Sequence, residues 1–149
     1  MLDTFQPLID AARGVDLTDP DAAKRTLQGR LDPASEEGQR VSAALVELLE
    51  AGAVADRGAP PVKFSRAAKA TDETDHFSID VVDMTGAGPH HRHPNGEVNW
   101  CVALEGAPTF QGQPPGWVVE TPGSDHVPTV EGGRMLIVYL LPGGAIEFS

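Results

Sequence analysis

His91, His93, Glu97 and His126 are the residues of this 149-residue chain whose types and spacing could hold a metal ion. His91 and His93 stand two apart, so in extended chain both side chains leave the same face. Glu97 follows across the turn sequence Pro94-Asn95-Gly96, at the mouth of a strand that opens with Val98. His126 ends the tight Pro122-Gly123-Ser124-Asp125 turn, which delivers one more imidazole. Together they offer a mixed nitrogen and oxygen donor set. Such a set suits a divalent ion such as Fe, Mn, Ni, Zn or Cu better than calcium or magnesium. An ion held this way keeps positions open for water or substrate and acts as a Lewis acid. The competing reading makes the histidines turn residues and Glu97 a solvated charge. The crowding of four histidines and a glutamate into two short stretches favours the metal. His90 reads as a loop residue outside the set.

Those side chains need strands to hold them. Phe77, Ile79 and Val81 alternate with polar neighbours, and further strand candidates are 98–104, 117–120, 127–130, 135–141 and 145–148. The breaks between them are rich in Gly and Pro, as in Glu105-Gly106, Gln111-Gly112, Pro122-Gly123 and Pro142-Gly143-Gly144. Short strands at even spacing suggest an antiparallel barrel or jelly roll. The first third of the chain has the helical period instead. Phe5, Leu8, Ile9 and Ala12 share one stripe. Asp19-Pro20 reads as an N-cap followed by proline at the first helical position. Val41, Ala44, Leu45, Leu48 and Leu49 form a third stripe, on a helix expected to start near Asp32-Pro33. The expected organisation is α+β: a helical N-terminal segment over 1–56, a connector over 57–73, and a β-barrel over 74–149 with the helices packed on it.

Composition narrows the partners. The net charge is −11, which repels phosphate backbones and anionic lipid, so neither nucleic acid nor a membrane is expected. Nine of the eleven Lys and Arg residues lie at or before Lys69, leaving Arg92 and Arg134 as the local cations of the C-terminal part, with Arg66 or Lys69 as possible helpers. The single Cys101 allows no intrachain disulfide, and residues 1–12 carry no basic region followed by an apolar one. A cytoplasmic location is the simplest expectation.

Two resemblances sharpen this reading. Gly86…His91-Arg92-His93-Pro94-Asn95-Gly96-Glu97, followed by Gly116…Pro122-Gly123-Ser124-Asp125-His126, is similar to the paired motifs of the cupins. This implies a cupin-like antiparallel barrel with His91, His93, Glu97 and His126 on a metal. Longer strings resemble the 4-hydroxylaminobenzoate lyase family. They include His93 to Asn99, Pro115-Gly116-Trp117-Val118-Val119, His126-Val127-Pro128-Thr129-Val130, and Gly132 to Ile137 continuing through Leu141 to Phe148. That resemblance implies a carbon–nitrogen lyase of nitrobenzoate degradation, converting 4-hydroxylaminobenzoate to 3,4-dihydroxybenzoate with release of ammonia.

The residues can be matched to that chemistry. The net reaction adds water and needs no nicotinamide or flavin, and no G-x-G-x-x-G fingerprint is present. Glu97 or Asp125 are the candidate proton-transfer groups. An aromatic carboxylate asks for a bidentate arginine, and Arg134 is the better candidate, because Arg92 should point away from the face of His91 and His93. Trp100, Phe110, Trp117 and Tyr139 are candidate walls for the ring, with ordinary core packing as the competing role for each. Asn99 and Cys101 share the strand face of Glu97; Asn99 is a candidate substrate ligand, Cys101 a small buried residue. A homodimer is expected, since small barrels pair through strand edges. The alternatives are a cupin oxygenase or isomerase acting on another small aromatic acid, or a non-catalytic binding module.

Overall fold

The computed structural model describes residues 1–148. Three helices come first: α1 (Leu2–Ala12), α2 (Pro20–Arg30) and α3 (Glu36–Glu50). The carboxylate of Asp19 caps α2 by accepting from the amide of Ala22, with Pro20 at the first helical position as expected. The third helix starts later than expected. Ser35 is its cap, accepting from the amide of Gly38, while Asp32 instead holds the amide of Ala34 in a preceding turn.

Nine strands follow: β1 (Arg57–Ala59), β2 (Val62–Ala68), β3 (Phe77–Met84), β4 (His91–His93), β5 (Glu97–Phe110), β6 (Gly116–Glu120), β7 (Ser124–His126), β8 (Val130–Pro142) and β9 (Glu147–Phe148). They form two antiparallel sheets, one of six strands in the order β1-β2-β3-β8-β5-β6 and one of three in the order β7-β4-β9. The expected closed barrel is therefore corrected. The ladders of the described residues do not close into a ring. The strand carrying His91 and His93 satisfies its backbone in its own short sheet, against β7 and β9.

The connector expected over 57–73 is corrected as well. Most of it is the hairpin β1–β2, which joins the large sheet through β3. Its burial pattern, exposed throughout β1 and mixed between exposed and half-buried in β2, gives no apolar alternation to read. The β part of the chain thus begins at 57 rather than 74. The expected strand over 127–130 is displaced too: β7 ends at His126 and β8 starts at Val130.

The large sheet is covered on both faces, which explains the unbroken apolar run from Met135 to Leu141 on its central strand β8. On one face Phe5, Leu8, Ile9, Leu27 and Leu45 of the helices pack against Ile79, Val98, Trp100, Trp117, Val138 and Leu140. Each of these aliphatic burials stabilises the fold by about 1.5–3 kcal/mol. Two indoles lock this layer: Trp100 Nε1 donates to the Ser42 hydroxyl at 3.1 Å and Trp117 Nε1 to the Leu31 carbonyl at 2.9 Å. The other face carries Val82, Met84, Cys101, Ile137, Tyr139 and Leu141, and this second core leads to the histidines.

Candidate metal centre

Strand pairing brings the four ligand candidates together. Alternation on β4 buries His91 and His93 and leaves Arg92 exposed between them. The antiparallel register sets His91 opposite His126. Glu97 opens β5 immediately after a turn closed by the Gly96 amide, which donates to the His93 carbonyl at 3.2 Å. Gly96 has φ +85°, and a Cβ there would stand 3.0 Å from both the Glu120 carbonyl and Leu17, so the turn requires glycine. The same His93 carbonyl accepts from Gly123 at 2.8 Å, tying the turn before β7 to the turn before β5.

The result is one cluster. The ring centroids of His91, His93 and His126 lie 4.6 to 4.7 Å apart. One ligand atom from each of His91, His93, Glu97 and His126 falls within 4.8 Å of every other. Donors at about 2.0–2.2 Å from a common ion are at most about 4.4 Å apart, so a small contraction suffices to bind one. A second observation supports the fit. Nε2 of His91 and His93, both oxygens of Glu97 and both ring nitrogens of His126 are buried without a hydrogen-bond partner. His93 Nε2 does approach Glu97 Oε2 to 2.8 Å, yet the angle is not that of a hydrogen bond. Buried polar atoms left so are costly, and a cation at the shared centre would take one donor atom from each of the four residues. The donor chemistry is that of a transition-metal site.

The electrostatics agree. Burial pushes the Glu97 carboxyl up, but the adjoining His91 and His93 rings more than offset this and hold it at about 2, so it stays ionised. Burial pulls His126 down to about 4, reinforced by His93, His91 and His90 and opposed by Glu97, so its imidazole is neutral and ready to ligate at neutral pH. Around the cluster, the Ser124 hydroxyl lies 3.3 Å from His93 Nδ1. The amide of Asn99 is fully buried on the face of Glu97, with its nitrogen and oxygen both unpartnered. Tyr139 lies opposite Asn99 across the β5–β8 ladder, its ring 6.3 Å from that of His91. Burial, then the charge of Glu97, holds the Tyr139 phenol well above its usual range, so it stays protonated.

A cavity of about 520 Å³ opens beside the cluster, lined by His91, Tyr139, Val82, Met84, Phe64 and Phe148 among others. Its walls are mainly apolar, as a site for an aromatic ring requires.

Several expected site residues lie elsewhere. Arg134 does not line the cavity. It forks onto Asp83 at 2.8 and 2.9 Å and reaches Glu105 at 2.9 Å, so its donors are already used. Trp100, like Trp117, lies on the helix-facing side of the large sheet, because its place on β5 alternates with Glu97, Asn99 and Cys101. Asp125 is exposed on β7, opposite Arg92 in register and 3.3 Å from the His90 imidazole, on the side away from the metal cluster. His90 Nε2 thus meets the Asp125 carboxylate. Phe110 is buried in the second core. Cys101 is buried, which pushes its thiol up and leaves it protonated.

One carboxyl escaped the sequence reading. Glu120, paired with Glu97 in register, places Oε2 3.9 Å from His126 Nδ1. Burial and then the charge of Glu97 raise its affinity for a proton. Its position at the end of a short apolar strand resembles any solvated strand end, and only the β5–β6 ladder reveals it.

Comparison with known proteins gives the chain a family. The family described as PnbB, 4-hydroxylaminobenzoate lyase, matches residues 8–148. A 4-hydroxylaminobenzoate lyase of Pseudomonas putida is 30% identical over 144 residues, covering 85% of this chain and 82% of that one. A second, from a Nocardioides species, is 30% identical over 136 residues, with coverage of 85% and 80%. Among solved structures, an RmlC-like cupin protein of Ralstonia eutropha overlaps 57% of this chain and 58% of its own, at 16% identity and a TM-score of 0.43.

Proposed function

Since the chain belongs to the 4-hydroxylaminobenzoate lyase family, we propose that it converts 4-hydroxylaminobenzoate and water to 3,4-dihydroxybenzoate and ammonia, with a divalent metal held by His91, His93, Glu97 and His126. The observation that carries the metal is the convergence of their buried, unpartnered donor atoms. The ion is of the Fe, Mn, Ni or Zn kind and supplies a Lewis acid toward an oxygen of the substrate or of water.

The bookkeeping of the reaction defines what the protein must do. The N–O bond breaks with its electron pair leaving on oxygen, which takes up a proton and departs as water. The ring is left electron-poor, and a water adds at the carbon beside the one bearing nitrogen, losing a proton. Hydrolysis of the remaining carbon–nitrogen double bond consumes another water and releases ammonia, and loss of a ring proton restores the aromatic system. The sum is one water in and one ammonia out, with no external oxidant or reductant.

Each proton movement needs a group near the cluster. Glu97 is ionised and buried among the imidazoles, which suits a ligand. Glu120, with its raised proton affinity, suits the transfer to the leaving oxygen, a role that Asp125 on the outer side cannot reach. Asn99 offers a buried donor and acceptor to a substrate oxygen, and the Tyr139 hydroxyl, which donates only a long 4.0 Å contact to the Met84 sulfur, could turn its proton to the same purpose. The apolar walls hold the ring and exclude bulk water.

Metal analysis of the purified protein, followed by measurement of ammonia release from 4-hydroxylaminobenzoate, tests the proposal. Stoichiometric metal and ammonia are expected. Metal without ammonia would instead favour an oxygenase or isomerase on another aromatic acid, and absence of both would favour a binding module.

A further inference from the structure

Two arginines line the cavity beside His91, and only one has its donors occupied. Arg66 is forked on Asp80, with Nε 2.8 Å and a terminal nitrogen 3.1 Å from the two carboxylate oxygens, so the pair brings no net charge to the cavity. Arg57 lines the same cavity from β1, opposite Phe64 in the ladder, and its guanidinium has no hydrogen bond or ion pair among the described residues. Of the cations beyond Lys69, Arg134 is held by Asp83 and Glu105 and Arg92 by Glu147, and neither lines the cavity.

We propose that Arg57 binds the carboxylate of an aromatic acid seated in this cavity and thereby sets a preference for carboxylated substrates. The inference rests on the reading of this cavity as the substrate site. A chain of net charge −11 repels an anion at long range, so an anionic substrate needs a local cation to receive it. A guanidinium forks onto a carboxylate with two parallel hydrogen bonds, which an ammonium does not match. The cavity has the complementary layout: apolar walls for the ring, the metal ligand His91 on one wall, and the free guanidinium on β1. In a para-substituted benzoate the carboxylate and the reacting nitrogen leave opposite ends of the ring. The proposed pose turns the nitrogen toward His91 and the carboxylate toward Arg57, both of which line the cavity.

β1 is an exposed edge strand, so Arg57→Gln should leave the fold intact. The test uses the metal-loaded full chain and isothermal titration with 4-aminobenzoate, a stable carboxylate, and with aniline, its counterpart lacking that group. Arg57→Gln is expected to weaken 4-aminobenzoate about 10- to 100-fold, the range of a lost charge-assisted hydrogen-bond pair. Aniline should bind equally to both proteins, Arg57→Lys should recover part of the loss, and Arg134→Gln should leave the preference for the carboxylate unchanged. In turnover, KM for 4-hydroxylaminobenzoate should rise by a similar factor with little change in kcat. Equal binding of 4-aminobenzoate by wild type and Arg57→Gln would overturn the assignment, as would no binding to wild type or an equal loss of aniline. If binding depends on Arg57 but no ammonia is released, the proposed reaction fails and the assignment of Arg57 stands.

Discussion

The hydroxyl of Ser124 sits 3.3 Å from Nδ1 of His93 while donating its own proton to the Thr121 carbonyl at 2.6 Å. With its hydrogen so directed, the oxygen is left to accept, which places the proton of a neutral His93 ring on Nδ1 and the lone pair on Nε2. That nitrogen is the one turned to the cluster. Ser124→Ala removes the constraint without altering a metal ligand. Metal affinity should fall about 10- to 100-fold, read by competition with a chromogenic chelator, with the circular dichroism spectrum unchanged.

Loading the centre should raise the stability of the fold. An ion that binds the folded chain alone adds about 2.7 kcal/mol when present at a hundred times its dissociation constant. Chelation should lower the melting temperature and re-addition of the metal should restore it. Glu97→Gln should abolish the response, since it removes the one anionic ligand of the set. A chelator-insensitive melt in the wild-type protein would contradict a bound ion.

Arg134 should prove to be a structural residue. Asp83 is nearly buried, and Arg134→Gln would leave it without its bidentate partner. A loss of about 1–3 kcal/mol in urea unfolding is expected, moderated because the arginine side chain is 35% exposed and partly screened. Catalytic constants of the folded fraction should change little.

Trp100→Phe should also act through stability. It strands the Ser42 hydroxyl and leaves a void in the helix-facing core, at a cost of about 1–3 kcal/mol. KM for the aromatic acid should not move, because the indole lies across the sheet from the cavity.

Cys101 should resist thiol reagents. Its side chain is buried and its ionisation suppressed, so the native protein should react with an aromatic disulfide at pH 8 far more slowly than the urea-unfolded chain does. Rapid labelling of the native state would place the thiol in an open site instead.

The residues that could ligate a metal were legible in the sequence because ligand chemistry is a property of residue type, and a spacing of two on a strand fixes a shared face whatever the strand packs against. His91, His93 and Glu97 needed only their local turn and pleat; the N-cap at Asp19 and the apolar stripes of the helices were equally local. What the sequence could not decide was which face each strand turns to which neighbour. Trp100 and Asn99 are adjacent, and only the two-sided burial of the large sheet sends one to the helices and the other to the face of Glu97. The occupancy of the arginines was likewise a tertiary matter: Arg134 met Asp83 across the β3–β8 pairing, 51 residues away, while Arg57 faced the cavity from a hairpin with no apolar pattern to announce it. Local chemistry is carried by the covalent chain, but charge neutralisation and the sidedness of a strand depend on partners brought together by folding.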